Sequence, residues 1–169
     1  MKFFPYERFN IITPLSPEEV HQRLLEEIKP PTELSFKELF KGKSHHYFRG
    51  VAWPTAFEVE PQISGRNSFV PKITGKTEFY LNGSSIYVTM ALKTPVLVFM
   101  CAWLGMVCFA FITILLAVVK QGGPLTPLVI PLIMFCFGYG MALFGFKSKS
   151  GDAREKLVRM FDGNLEVLK

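Results

Sequence analysis

Charged side chains are missing from two long stretches of this 169-residue chain, and cysteine is missing from everything outside them. Neither PVLVFMCAWLGMVCFAFITILLAVV (95–119) nor PLVIPLIMFCFGYGMALFGF (127–146) contains Asp, Glu, Lys or Arg. Without Asp, Glu, Lys, Arg or His, these runs offer no proton relay, ion pathway or transporter core. The three cysteines, Cys101, Cys108 and Cys136, lie inside the runs, so no disulfide framework is expected in the aqueous part. Cys101 and Cys108 share a helix face and read as small packing residues, because no soft ligand lies nearby in sequence. Catalytic signatures are also lacking. There is no Gly-rich phosphate loop, GxSxG, HExxH or CxxC. Thr74-Gly75-Lys76-Thr77 ends like a phosphate loop but has neither the upstream glycine nor a following helix. His45 and His46, adjacent on an expected strand, point to opposite faces and cannot easily share a metal. His21 is distant in sequence. No catalytic, cofactor-binding or metal-binding residue is therefore expected. The N-terminal MKFFPYERFN has no apolar core of signal-peptide length, so no secretory signal is expected.

The chain does contain the length needed to cross a bilayer, twice. About 20 apolar residues span a hydrocarbon core. The spans 95–119 and 127–146, with a turn at 120–126, predict a transmembrane helical hairpin over 95–146. Mean hydropathy is +0.26, and hydrophobic residues make up 49% of the chain, more than a soluble domain carries. Neither run shows an amphipathic stripe, which argues against the core hairpin of a soluble protein. Lys93 precedes the first span, and Lys147, Lys149, Arg154, Lys156 and Arg159 follow the second. The turn holds Lys120 alone. This bias predicts an integral membrane protein with both termini cytoplasmic. Lys93, Lys147 and Lys149 are the candidate membrane-surface contacts. Residues 1–94 carry 12 basic and 10 acidic side chains, and residues 147–169 carry 6 and 4. Neither segment is basic enough to make nucleic acid a main partner.

The aqueous part falls into a cytoplasmic α+β domain (1–94) and an amphipathic helix (147–169) that packs back on the sheet. ERFNIIT (7–13) reads as a strand. Ser16-Pro17-Glu18-Glu19 reads as a capped helix start, with Val20, Leu24 and Ile28 on one face and Pro30-Pro31 as the stop. Residues 32–44 leave helix or loop open. From His45 the period becomes two, and HYFRGVAW, AFEVEPQI, SFVPKITGKTEFY and SSIYVTMAL read as four more strands. Asn82-Gly83 is the expected hairpin turn. Pro61 and Pro71 suggest edges or bulges. In the tail, Asp152 and Glu155 suggest a new helix start. Ala153, Leu157, Met160, Phe161, Leu165 and Leu168 form one apolar face, and Gly163 weakens the helix mid-course. An in-plane membrane helix is the alternative for this segment.

The expected fold is thus α+β: an antiparallel sheet of about five strands, one early helix, a C-terminal amphipathic helix, and the transmembrane hairpin inserted before that last helix. Over 9–92 and 151–169 the element order resembles the helix-grip (START-like) arrangement. The resemblance implies a curved sheet wrapped round a terminal helix. A pleckstrin-homology-like barrel carries its helix only at the end, and the early helix here argues against it.

In the hairpin, Cys101 with Gly105 and Gly138 with Ala142 form small-xxx-small pairs, and Gly140 and Gly145 add a second small stripe. Cys101, Gly105, Gly138, Ala142 and Gly145 are the candidate helix-docking face. Pro131 is expected to kink the second span. Phe occurs 17 times, and Phe3, Phe4 and Tyr6 are candidates for lying on the bilayer or on a partner. The expected function is a non-enzymatic, membrane-anchored accessory, assembly or tethering protein. Its partners would be the lipid bilayer and other membrane subunits. The alternative is a membrane-associated binding domain for a lipid or other apolar ligand, and an enzyme with a site at the sheet mouth comes third.

Overall fold

Strand β1 (Tyr6–Thr13), helix α1 (Pro17–Glu27) and strand β2 (Ile28–Lys29) open a computed structural model that describes residues 4–29, 47–62 and 67–166. Strands β3 (Phe48–Trp53), β4 (Ala56–Pro61), β5 (Lys72–Tyr80) and β6 (Gly83–Ala91) follow. Then come two long apolar helices, α2 (Thr94–Gln121) and α3 (Val129–Met160), and strand β7 (Asn164–Glu166). Among the described residues the sheet is mixed and has seven strands in the order β2-β3-β4-β5-β6-β1-β7. The five longer strands overlap the expected ones, with β5 beginning at Lys72 rather than at Ser68. The additions are the short β2, which pairs parallel with β3, and β7, which pairs antiparallel with β1. Strands of two or three residues carry no readable period, which is why the sequence pattern did not announce them. The expected helix or loop at 32–44 and the His45–His46 pair lie outside the described residues.

Helix α1 begins as its residues dictate. The Ser16 hydroxyl accepts from the Glu19 N–H at 3.3 Å, and the Glu19 carboxylate accepts from the Ser16 N–H at 2.8 Å. Together these satisfy two donors that the first turn leaves free. The helix carries the chain from β1, near one edge of the sheet, to β2 at the other. Val20 and Leu24 are buried in the core.

The β meander buries alternate residues. Phe57 and Val59, then Ile73, then Ile86, Val88 and Met90, then Phe9 and Ile11 line one face. Pro61 closes β4 and Pro71 precedes β5, so neither interrupts a ladder. Gly75 sits inside β5 opposite Phe57. A Cβ there would lie 2.2 Å from the Phe57 ring, so the glycine makes room for an aromatic. The β5–β6 turn is one residue earlier than Asn82-Gly83. Its last pair is Tyr80 with Gly83, and Leu81 takes the left-handed φ of 51°. Gly83 belongs to β6, where a Cβ would lie 2.1 Å from the Thr13 carbonyl oxygen. Close approach, not turn geometry, requires the glycine.

The largest departure is α3. The sequence divides at 146/147 into a span and a separate tail helix, but the structure runs one 32-residue helix through that boundary. Asp152 caps nothing. Its carboxylate pairs with Lys149 at 3.4 Å, within the helix. Phe146, Ser150, Ala153 and Leu157 form a buried stripe at helical spacing, continued by Phe161 just past the helix end. That stripe fills the inner face of the sheet, with the Phe57 and Phe161 ring centroids 6.3 Å apart. Each fully buried Leu or Phe contributes about 1.5–3 kcal/mol. The chain then turns at Asp162, with φ of 47°. Gly163 lies in this turn rather than in mid-helix, and a Cβ on it would come within 2.3 Å of Ile11. Leu165 lies on β7 rather than on the helix, and Leu168 is outside the described residues. The end of α3 is held by side chains from elsewhere. Thr13 donates to the Phe161 carbonyl at 2.6 Å, and Arg23 donates to the Met160 carbonyl at 2.8 Å and to Asp162.

Candidate functional site

Helices α2 and α3 are joined by a left-handed Gly122 (φ 65°) and a single 3-10 turn, Thr126–Leu128. Both are long and apolar enough to cross a membrane. At about 1.5 Å per residue α2 extends about 42 Å and α3 about 48 Å. Their most apolar windows are only 6% and 17% buried. The core of a soluble protein would be largely covered. Here Phe99, Met106, Phe109, Leu116, Ile133, Phe137 and Phe144 all stand exposed. An apolar surface of this extent marks a contact with membrane or with another protein. Pro131 is buried and lies within the first turn of α3, where a missing N–H costs a helix least.

The small residues divide into two sets. Gly138 is buried, and a Cβ there would lie 3.2 Å from the Trp103 indole nitrogen. Ala142 is buried one turn further along. At Gly145 a Cβ would come 2.9 Å from Phe69 of the β4–β5 loop. These three positions are therefore occupied by side chains of this same chain. Cys101 and Gly105 on α2 are exposed, and a Cβ at Gly105 or Gly140 would meet nothing within 4 Å. All three cysteines are free and exposed on the helix surfaces.

At the junction with the sheet, the three lysines behave differently. The Lys93 ammonium pairs with Glu60 at 2.6 Å, just before α2 begins. Lys149 pairs with Asp152. Lys147 is exposed and has no ion-pair partner among the described residues. Ser150, almost fully buried, donates to Glu7 at 3.2 Å and ties α3 to the start of β1. Phe4 is exposed beside this junction, while the Arg8 guanidinium lies 5.1 Å from the Tyr6 ring centroid. Phe3 is outside the described residues.

Among the described residues, two of the concavities flank α3. One is open and polar, about 250 Å³, lined by Tyr47, Asp152, Glu155, Lys156 and Arg159. Burial raises the Tyr47 hydroxyl above the usual tyrosine range, and the Asp152 carboxylate adds to the shift. Glu155 and Arg159 pair with each other along the helix. The second is apolar, about 270 Å³, between α2 and α3 at the end nearer the sheet. Phe99, Met100 and Trp103 line it from one helix, Met134, Phe137, Gly138 and Met141 from the other, and Phe69 closes it. Sequence reasoning missed this groove, because its parts come from three segments far apart in the chain. Among the described residues, no three His, Cys, Asp or Glu side chains converge as metal ligands. No protein-family model, no curated protein and no solved structure matches this chain.

Proposed function

We propose that this chain is an integral membrane protein in which α2 and α3 cross the bilayer as a hairpin. Both termini then face the cytoplasm, and α3 holds the α+β domain at the membrane surface. In this reading the protein is a non-enzymatic accessory or tethering subunit. One observation supports it above others: a single unbroken helix is exposed and apolar in its first half and forms part of the sheet core in its second. No flexible linker separates anchor from domain. A rigid connection fixes height and orientation over the bilayer, which suits a scaffold better than a freely tethered catalyst. The exposed Cys101–Gly105 face offers a place for a larger membrane complex to approach closely.

The test is to place a proline at Ser148, an exposed position just beyond the apolar half of α3. Proline removes one helix hydrogen bond and clashes with the preceding turn, a local cost of about 3 kcal/mol. The variant is expected to remain in the carbonate-resistant membrane fraction and keep a protease-resistant α+β domain. It should no longer co-migrate with a larger partner on native gels in mild detergent. A parent that migrates alone in every mild detergent would remove the accessory-subunit reading.

A further inference from the structure

We propose that the tip of the β5–β6 hairpin, Phe79-Tyr80-Leu81, docks a segment of a second protein that carries apolar side chains flanked by lysine or arginine. Phe79, Tyr80 and Leu81 are 72%, 46% and 76% exposed, although both strands bury alternate residues in the core. Leu81 also takes a left-handed φ of 51°. That conformation crowds a residue with a Cβ and suits asparagine better than leucine. An asparagine at 81 would therefore make the same turn with less strain. Leucine adds only exposed apolar surface, and strain held at an exposed residue marks a functional constraint.

The position of the tip excludes the lipid of the protein's own bilayer, and this step rests on the membrane reading above. Ser150 of α3 donates to Glu7 at the start of β1, and Thr13 at the end of β1 donates to the Phe161 carbonyl. Strand β1 therefore runs alongside α3. Thr13 pairs with Ser84, and Ser84 with Phe79, so the tip lies level with the far end of α3. Phe161 lies 15 residues past Phe146, where the apolar half of α3 ends, about 22 Å along the helix. A second copy in the same bilayer is excluded too. It is related to the first by rotation about the membrane normal, so both tips point the same way and do not meet.

Charge then selects among other proteins. The Ser84 hydroxyl donates to the Leu15 carbonyl at 2.7 Å, which seats the hairpin against the start of α1. That first turn carries Glu18 and Glu19. Glu78 is exposed just before Phe79, and Asp162 follows Phe161. Against these four carboxylates stand Arg23, paired with Asp162 at 2.6 Å, and Lys76, three residues before Phe79. Two cations less four carboxylates leave −2 at this end among the described residues, on a chain of net +5. An acidic rim round an apolar centre fits a basic rim round an apolar centre, and it repels an anionic lipid surface.

The photoreactive residue p-benzoylphenylalanine is placed at Tyr80 of the full-length protein, in the cells that naturally contain it. A control carries it at Leu25, an exposed residue of α1. Ultraviolet light is expected to give a protein adduct from position 80 and none from position 25. Mass spectrometry of the linked peptide should show lysine or arginine flanking apolar residues. Leu81→Asn relieves the left-handed strain, so the thermal transition should stay or rise. The adduct yield should nonetheless fall about ten-fold, as for the loss of an interface anchor. Glu18→Lys with Glu78→Lys should lower it about five-fold, the upper range for exposed ion pairs.

A linked peptide without basic residues would overturn the proposal. So would an adduct to lipid, to a second copy or within the chain itself, and so would a yield that Leu81→Asn leaves unchanged. Carbonate extraction of the same cells tests the bilayer reading separately. Retention in the membrane without any adduct would remove the docking site alone. Release of the parent by carbonate would overturn the bilayer reading, and the inference with it.

Discussion

Gly75 shows how one missing side chain organises this sheet. The sequence presents it within TGKT, which ends like a phosphate loop but lacks the upstream glycine such a loop needs. In the fold it is a strand residue whose empty side accepts the Phe57 ring, and Phe57 in turn packs toward Phe161 beyond the end of α3. Gly75→Ala must push that ring out of place, because the new methyl would sit 2.2 Å from it. Overpacking of this kind costs about 1–3 kcal/mol. The expected outcome is an earlier thermal transition of the α+β domain, followed by near-UV circular dichroism, with membrane insertion unchanged. An unaltered transition would show that Phe57 repacks freely and that the stripe on α3 is not held by it.

Elements report more than residues, and their ends report most. The start of α1 was legible because a capping box is local: Ser16 and Glu19 satisfy each other's neighbourhoods within one turn. Glu19 titrates below the ordinary glutamate range. The Ser16 backbone N–H is the largest cause, followed by the Ser16 side chain, with a smaller contribution from Arg23; partial desolvation opposes them. A carboxylate lowered on folding stabilises the folded form above its unfolded pKa, and that support is lost as pH falls through the lowered value. Fraying of the first turn of α1 is therefore expected on the acid side of the ordinary glutamate range. Amide exchange of Glu18, Glu19 and Val20 measured against pH would read it, and Glu19→Gln should flatten the profile. A parent profile already flat there would mean the box contributes nothing. The end of α3 was not legible, for the opposite reason. Its carbonyls are met by Thr13 and Arg23, more than a hundred residues away in sequence. Lys147, Lys149 and Asp152 looked like a boundary because charge ends an apolar run. Helix continuation, however, depends on backbone bonds and on the partner face, and the stripe from Phe146 to Phe161 supplies that face.

For the whole molecule, the proposed bilayer hairpin carries a testable orientation. The lysine bias at the ends of the spans favours the sheet domain on the cytoplasmic side. In a cysteine-free background, a cysteine at Gln121 is expected to react with an impermeant maleimide in intact cells. One at Ser148, which is exposed beside the sheet, should react only after permeabilisation. Ser150 would not serve, since it is 1% exposed and hydrogen-bonded to Glu7. The reverse labelling pattern would overturn the orientation and leave the hairpin standing. The continuous α3 makes the question consequential, because the side that holds the sheet domain also fixes the side of the Phe69-capped groove.

Periodicity and composition alone determined the two apolar helices, the α1 start and the alternation of the five longer strands. Each of these depends on neighbours within a turn or a strand, so the information sits in adjacent letters. Tertiary structure decided the rest. It joined the second span to the tail as one helix, added β2 and β7 at the two edges, and used Gly138, Ala142 and Gly145 inside the chain's own packing. It also brought Phe69 down onto the hairpin to make a groove. A small residue reads the same whether it admits a neighbour's ring or faces lipid. Only the position of a residue far along the chain distinguishes the two, and that position is set by the packing of the sheet against α3.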